Sequence, residues 1–204
     1  MSIYALKARF QAVLRPAVRR LHRAGVTANQ VTLTACAISA AIGFLLIGAP
    51  RRYFAIVPVW MLLRMALNAI DGMLAREFGQ KSALGAYLNE LTDVVSDAAL
   101  YLPFAFIPPF DWRSAGAVIF ASALSEMTGV VGAVTGASRR YDGPMGKSDR
   151  AFVFSLIAIW IALTATLPGW SHWIMWAVAL LTAVTIANRI RGGLRELSSA
   201  TRVE

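Results

Sequence analysis

Long apolar stretches follow one another along most of the chain, separated by short polar connections. Six stretches can be distinguished, and each has about the 20 residues that a helix needs to cross the hydrocarbon core of a bilayer. They lie at roughly residues 29–49, 54–75, 83–108, 114–136, 151–168 and 170–189. Because lipid offers no hydrogen-bonding partners, the backbone of each stretch must satisfy itself, which predicts six transmembrane helices.

The segment before the first stretch has a different pattern. Within residues 2–23, apolar side chains recur at helical spacing along one stripe, and five arginines fall away from it. This pattern predicts an amphipathic helix within residues 1–25, on the cytoplasmic surface of the membrane, where anionic lipids attract its basic side. Such a helix can be a plain topological anchor or can take part near a substrate, and the sequence leaves both roles open.

The composition agrees with a membrane protein. The chain has 204 residues, 57% of them hydrophobic, and a mean hydropathy of +0.58, values that a soluble domain of this length rarely reaches. The spans use most of the chain and leave no room for a large soluble domain. We therefore expect an all-α integral membrane protein with a single domain over residues 1–204, in which a six-helix bundle occupies residues 29–189.

Positive charge is concentrated on one side of the predicted bundle. The net charge is +9; 16 of the 20 Lys and Arg residues lie in the N-terminal segment, two alternate connections and the C-terminal tail. Arg64 lies within the second span. The positive-inside rule then puts both termini in the cytoplasm. Since topology explains the charge, we expect the lipid bilayer and no nucleic acid as a partner, and a location in a bacterial inner membrane.

Polar side chains interrupt the second and third stretches. Asn68 and Asp71 are three residues apart and share one helix face. A second face carries a ladder at intervals of four residues, formed by Asn89, Asp93 and Asp97. Both faces lie about 12 Å from the cytoplasmic ends of their helices, at about 1.5 Å per residue. The two spans run in opposite directions, so their polar faces are expected to meet in a pocket open to the cytoplasm.

Clustered acids of this kind need a counter-charge. Carboxylates gathered in a membrane repel one another unless they are protonated, paired with cations or bound to a metal. The oxygen ligands of Asp and Asn suit hard divalent ions such as Mg²⁺ or Mn²⁺. Three small residues, Gly72, Ala75 and Gly85, lie beside the polar positions. They can leave a cleft for a bulky ligand or let two helices pack closely.

The order of these residues resembles the signature of the CDP-alcohol phosphatidyltransferase family. That signature reads D-x-x-D-G-x-x-A-R, about eight residues, and then G-x-x-x-D-x-x-x-D. Residues 68–93 match its spacing over all 26 positions, with Asn68 and Asn89 where the signature has its first and third aspartates. Residues 26–32, VTANQVT, resemble the family's T-P-N-x-x-T segment, with Ala28 in place of proline. Six spans after a cytoplasmic amphipathic helix also fit the family.

The resemblance implies an enzyme of phospholipid biosynthesis that transfers the phosphatidyl group of CDP-diacylglycerol to an alcohol acceptor and releases CMP. The basic connection at residues 138–150 favours a phosphorylated acceptor, such as glycerol 3-phosphate or inositol phosphate, and other polar alcohols stay open. Homodimers are common in the family and are expected here. One alternative is a non-catalytic protein that binds a CDP-linked lipid. A small membrane transporter is less favoured, because the sequence shows no internal repeat.

The same resemblance implies roles for individual residues. One or two divalent ions would be held by Asn68, Asp71, Asn89, Asp93 and Asp97. Asp97 continues the ladder by one turn and can compensate for the two missing carboxylates, with Glu90 as a second candidate. Asp93 matches the aspartate usually assigned as the general base. Nucleotide binding would fall to Asn29, Thr32, Gly72, Ala75, Arg76 and Gly85. The segment MGKSDRAF resembles an acceptor-binding segment, which implicates Lys147, Arg150 and Arg139.

Two further acidic residues stay open. Glu126 lies near the middle of the fourth stretch, where it can line the polar pocket or be protonated against a neighbouring helix. Asp149 can orient Arg150 or cap the fifth helix, and capping is the preferred interpretation.

Overall fold

The computed structural model describes residues 3–200, with side chains described from residue 10 to residue 199. Within this range the chain forms seven α-helices and no strand, which confirms the predicted all-helical fold. The helices are α1 (Ile3–Arg23), α2 (Ala28–Leu46), α3 (Ile56–Glu77), α4 (Ala83–Tyr101), α5 (Trp112–Val134), α6 (Lys147–Leu163) and α7 (His172–Ala200). Short 3₁₀ turns lie at Arg51–Ala55, Leu102–Phe106 and Gly169–Ser171.

Side-chain caps fix where the helices around the polar residues begin. At the start of α2, the Gln30 N–H donates to Thr27 Oγ1 at 3.2 Å, and the Thr27 N–H donates to Gln30 Oε1 at 2.9 Å. At the start of α4, the Gly85 N–H donates to Ser82 Oγ at 2.9 Å. These caps hold Asn29 and Gly85 in the first turns of two neighbouring helices.

Four helical segments of the described chain are long and apolar enough to cross a membrane, so the chain is an integral membrane protein. They are Ala28–Leu46, Arg51–Glu77, Trp112–Val134 and Gly169–Ser199. The other two predicted spans differ from these for physical reasons. α4 carries Glu90, Asp93 and Asp97, and α6 has only 17 residues. That α4 and α6 also cross the membrane stays a prediction.

The N-terminal helix α1 packs against α3. Val18 is fully buried in an apolar cluster with Ala28, Val31, Ile70, Met73 and Leu74. Arg15 donates to Glu77 at 3.0 Å at the surface. α1 continues through Pro16 without a break, although a proline inside a helix removes one backbone hydrogen bond. Its location on the membrane surface stays a prediction.

The bundle separates an apolar half from a polar half. α3 packs on α1, α2 and α6, while α4 packs on α2 and α5, and α5 packs on α7. The apolar half contains an aromatic cluster of four buried rings, Phe54, Tyr101, Phe104 and Phe154. Tyr101 stacks on Phe154 at 3.9 Å between ring centroids, and Phe104 meets Phe154 edge-on at 4.9 Å. Tyr101 ends α4, so this cluster lies at the opposite end of that helix from Asn89.

Helices α2 and α4 touch through their backbones. Gly43 of α2 lies so close to Ala99 of α4 that a Cβ on the glycine would overlap the Ala99 carbonyl. Small residues at such a point let two membrane helices approach closely and gain dispersion contact. Ala99 lies two residues before Tyr101, so this contact belongs to the apolar half of the bundle.

Replacing Gly43 by alanine is expected to destabilise the protein by roughly 1–3 kcal/mol, because α2 and α4 must move apart to admit the methyl group. The expected loss outweighs the gain of about 1 kcal/mol in helix propensity. Unfolding in detergent, followed by circular dichroism, measures the effect.

Gly116→Ala is the matched control. Gly116 lies in α5, and a Cβ there would meet no atom within 4 Å. The unfolding temperature of the Gly116→Ala variant is expected to equal or exceed that of the wild type. Equal losses in the two variants would contradict the proposed backbone contact.

Candidate active site

A polar cavity of about 540 Å³ lies between α3, α4 and the start of α6, and we call it the first cavity. Its walls include Asn68 and Asp71 of α3, and Asn89 and Asp93 of α4. Four of the five residues predicted to hold a metal therefore line one cavity. They come together because the polar faces of α3 and α4 meet at the same level.

Asp71 is anchored by a neighbouring helix. It is buried on α3, with 4% of its surface exposed. The Thr32 hydroxyl of α2 donates to Asp71 Oδ2 at 2.7 Å. This bond fixes the carboxylate at the edge of the cavity and joins α2 to α3 there.

Asp93 is contacted by two cations and an amide. The Lys147 ammonium forms an ion pair with Asp93 Oδ1. The Arg64 guanidinium lies 3.4 Å from the same oxygen, and Asn68 Nδ2 donates to it at 3.3 Å. Asp93 thereby connects α4 to both α3 and α6.

A second cavity of about 490 Å³ adjoins the first, toward the starts of α2 and α4. The two cavities share five lining residues, which are Asp71, Gly72, Arg76, Asn89 and Arg139. All six residues predicted for nucleotide binding line the second cavity, namely Asn29, Thr32, Gly72, Ala75, Arg76 and Gly85. The cavities are therefore adjoining parts of one site.

Two glycines give the second cavity its shape. A Cβ on Gly85 would lie 2.9 Å from Asn29 Oδ1, and a Cβ on Gly72 would lie 2.8 Å from Arg76 Nη2. Without these side chains, Asn29 can approach α4 and Arg76 can fold back over α3. The small residues therefore make room for polar side chains at this place.

The connection between α5 and α6 borders both cavities. Arg139 forms an ion pair with both carboxylate oxygens of Glu90 and lies 3.9 Å from Glu126. The adjacent Arg140 donates to Asp142 Oδ2 at 2.8 Å, and this bond lowers the pKa of the Asp142 carboxyl. Of the two neighbouring arginines, Arg139 lines the two cavities and Arg140 does not.

The start of α6 brings Lys147 to the first cavity. The Gly146 N–H donates to Asp149 Oδ2 at 2.9 Å, so Asp149 caps this helix, and the preferred interpretation of that residue is confirmed. The cap sets the first turn of α6, and this turn carries Lys147 beside Asp93.

Asp97 and Arg150 do not line either cavity. Asp97 accepts hydrogen bonds from Arg64 at 2.5 Å and from Arg150 at 3.3 Å. Arg150 is fully buried and also donates to Glu126 at 3.0 Å. Asp97, an expected metal ligand, and Arg150, an expected acceptor-binding cation, therefore lie in an internal ion-pair network. The physical reason is that charges buried in a bundle need opposite charges as partners.

Four charged residues that line the first cavity were missing from the predicted site. They are Arg64, Glu126, Asp149 and Arg189. Arg64 and Glu126 lie inside predicted spans, which is by itself a signal of function. Arg189 lies 3.7 Å from Glu126, but in the sequence it is one of several basic residues at the end of a span.

The donor atoms at the first cavity suit one hard cation. Within the described residues, no three His, Cys, Asp or Glu side chains form a group that could hold a metal ion. Two carboxylates, Asp71 and Asp93, do face the cavity together with the amides of Asn68 and Asn89. Such a set is typical of Mg²⁺, which proteins often bind through one or two carboxylates, with water and substrate phosphates as the other ligands.

A helical membrane bundle with two carboxylates and several cations around one polar site suits a membrane protein that binds a phosphate-bearing ligand. The family model for CDP-alcohol phosphatidyltransferase matches residues 25–184, and the chain belongs to this family. The predictions of the family and of a transferase in phospholipid biosynthesis are confirmed.

Two relatives illustrate the similarity in sequence. The chain is 43% identical over 198 residues to the inner membrane protein YnbA of Escherichia coli (strain K12), and the match covers 95% of this chain and 97% of that protein. It is 29% identical over 214 residues to a phosphatidylinositol phosphate synthase of Streptomyces avermitilis, with 95% and 83% covered.

Solved structures share the fold. A structure of the phosphatidylinositol phosphate synthase PgsA1 of Mycobacterium tuberculosis, in complex with manganese and citrate, has a TM-score of 0.71 and 21% identity, with 88% of each chain covered. A structure of the same synthase with CDP-DAG bound has a TM-score of 0.71 and 22% identity, with 87% of this chain and 92% of that chain covered. At these identities the likeness establishes the fold.

Asp97→Asn is expected to destabilise the protein by about 3–5 kcal/mol, because Arg64 and Arg150 lose the full negative charge between them. Unfolding in detergent measures the change. Asp142→Asn is the control, since Asp142 is a solvent-exposed partner of Arg140, and it is expected to unfold close to the wild-type temperature. An Asp97→Asn protein of full stability that had lost its affinity for Mn²⁺ would instead make Asp97 a metal ligand.

Proposed function

We propose that this chain is a single-domain enzyme that transfers the phosphatidyl group of CDP-diacylglycerol to an alcohol and releases CMP. One observation carries the proposal: Asp71 and Asp93 converge with Arg76, Arg139 and Lys147 around two adjoining cavities. Carboxylates that can hold a divalent ion, next to several cations, suit the charge of a diphosphate.

The second cavity is the proposed nucleotide side. Gly72, Ala75 and Gly85 line this cavity without bulky side chains, and Asn29, which lies beside Gly85, offers hydrogen-bonding groups to a base. Arg76 lines both cavities, as expected of a residue that contacts the diphosphate between them. The related synthase solved with CDP-DAG bound supports this class of donor.

We assign four residues as ligands of a divalent ion, Mg²⁺ or Mn²⁺: Asn68, Asp71, Asn89 and Asp93. Asn68 and Asn89 stand at the positions of two signature aspartates, so the site has two negative charges fewer than the signature provides. The related synthase structure with manganese supports the class of ion. A bound divalent ion would stabilise the negative charge that develops on the diphosphate.

Asp93 is the proposed general base. In the transfer step, the acceptor oxygen bonds to the phosphorus that carries diacylglycerol. The bond from that phosphorus to the bridging oxygen breaks, and CMP leaves with the electron pair. Asp93 takes the hydroxyl proton, while Arg76 and Arg139 offset the charge of the departing CMP. Lys147 and Arg64 flank the Asp93 carboxylate and hold it at the wall of the first cavity.

The first cavity is the proposed acceptor side, and we favour a phosphorylated alcohol. Lys147 forms an ion pair with Asp93. If Lys147 binds the phosphate of the acceptor, the hydroxyl of the same acceptor molecule lies close to the proposed base. Arg139 and Arg189 line the same cavity. Relatives named phosphatidylinositol phosphate synthases support an acceptor of this class.

We further propose that the enzyme lies in a bacterial inner membrane, with both termini and the cavities facing the cytoplasm. The distribution of basic residues supports this orientation. The Escherichia coli relative is an inner membrane protein by name. Homodimer formation stays a prediction.

Release of CMP tests the function. Purified full-length protein with CDP-diacylglycerol and Mg²⁺ is expected to release CMP only when an acceptor from a panel is present, and a chelator should abolish the release. The panel includes glycerol 3-phosphate, inositol phosphate and their unphosphorylated forms, with lipid products identified by mass. No CMP with any acceptor would contradict the proposal. Tight CDP binding without turnover, with turnover gained in Asn68→Asp/Asn89→Asp, would indicate a lipid-binding homologue.

Asp93→Asn is expected to lower the rate of CMP release by about 10²–10⁴-fold, because the acceptor hydroxyl loses its proton acceptor. Steady-state kinetics with the best acceptor measures the effect. Asp142→Asn removes a carboxylate outside the two cavities and is expected to retain the wild-type rate. Full activity of Asp93→Asn would remove Asp93 from the role of base.

A further inference from the structure

A buried arginine forms part of the wall of the first cavity. Arg64 lies on α3, one turn before Asn68, and exposes 3% of its surface. It is one of the residues that line the cavity. A guanidinium does not lose its proton in proteins, so Arg64 is a permanent positive charge at this site.

Arg64 is bound to two aspartates of α4. Its Nη1 donates to Asp97 Oδ1 at 2.5 Å. Its Nη2 donates to the backbone carbonyl of Asp93 at 3.1 Å and lies 3.4 Å from Asp93 Oδ1. Asp97 also forms an ion pair with Arg150. The positive charge of Arg64 is therefore only partly neutralised by Asp97, and the rest can offset the negative charge of Asp93.

The negative charge that α3 and α4 present to the cavity is small. Asn68 and Asn89 are neutral, so the two helices contribute the carboxylates of Asp71 and Asp93. Asp93 is already close to Arg64 and to Lys147. Two divalent ions side by side would repel each other strongly in a medium of low dielectric constant, and these two carboxylates cannot offset four positive charges.

The other acids near the cavity are occupied by partners. Glu90 is paired with Arg139, and Glu126 accepts a hydrogen bond from Arg150. Asp149 accepts the N–H that begins α6. The negative charge left for a metal at the first cavity is therefore that of Asp71 and Asp93, which is too little for two divalent ions.

We propose that Arg64 is a built-in cation of the active site, which offsets the charge of Asp93 and limits the site to one divalent ion. The inference rests on the proposed function. Arg64 acts through Asp93 and is therefore a positioning residue. The neutral amides of Asn68 and Asn89 complement it, because a site with a fixed cation needs fewer carboxylates.

The charge of Arg64 predicts the direction in which the affinity for Mn²⁺ changes when the residue is replaced. A guanidinium repels a nearby metal ion, so its removal should strengthen the binding of Mn²⁺. A residue needed only for packing has the opposite effect, because its loss disorders the ligands and weakens metal binding. Affinity for Mn²⁺ therefore separates the two roles.

The experiment measures Mn²⁺ bound to the purified full-length protein in detergent, by the paramagnetic resonance signal of the free ion. The wild type is expected to bind one Mn²⁺ per chain. Arg64→Gln is expected to bind Mn²⁺ about tenfold more tightly and to release CMP at least about tenfold more slowly. Arg64→Lys keeps the charge and should bind Mn²⁺ within about threefold of the wild type. Asp71→Asn, which loses a proposed ligand, should bind Mn²⁺ more weakly.

Several outcomes would overturn the proposal. Two Mn²⁺ ions per wild-type chain would do so, and that measurement needs no variant to fold. Unchanged or weaker binding by folded Arg64→Gln would do so as well. Arg52→Gln, at an exposed arginine outside both cavities, is the matched control and should bind as the wild type does. If the Mn²⁺ results hold but no acceptor yields CMP, the proposed function fails and the role of Arg64 stands.

Discussion

The carboxylate of Asp97 holds the polar half of the bundle together. It belongs to α4 and accepts hydrogen bonds from Arg64 of α3 and from Arg150 of α6, so one side chain joins three helices. Charges inside a membrane protein are stable only when they are paired. The three helices must therefore keep the separation that these bonds require, and the space that remains between them is the first cavity.

One helix turn separates two uses of the same residue type. Asp97 is withdrawn between guanidinium groups, whereas Asp93, four residues earlier on α4, lines the cavity. On α3 the deeper position is occupied by a cation, Arg64, and the acid Asp71 lies nearer the C-terminal end of the helix. The ion pairs of Asp97 with Arg64 and Arg150 therefore lie deeper in the bundle than Asp93. Through Arg64 they help to hold the Asp93 carboxylate in place without a ligand.

Sequence patterns predict the helices and the cavity better than they predict the ion pairs. Apolar runs predict the helices well, because burial in lipid depends on each segment alone. They fail at the end of α4, where Pro103 lacks an N–H and the chain turns at Leu102–Phe106, since hydropathy does not sense backbone geometry. Helical spacing also brings Asn68 and Asp93 to one cavity. Spacing cannot identify the partner of Asp97, because Arg64 is 33 residues away and other cations compete for the same acid.

The tight backbone contact of Gly43 with Ala99 and the aromatic cluster around Phe154 fill the bundle beyond the polar cavity. The bundle is thus closely packed on that side of the cavity. An enzyme with the function and orientation proposed above adds new lipid to the leaflet that its cavities face. With that orientation, growth of the opposite leaflet requires transfer of the product across the bilayer, so synthesis by such an enzyme is asymmetric.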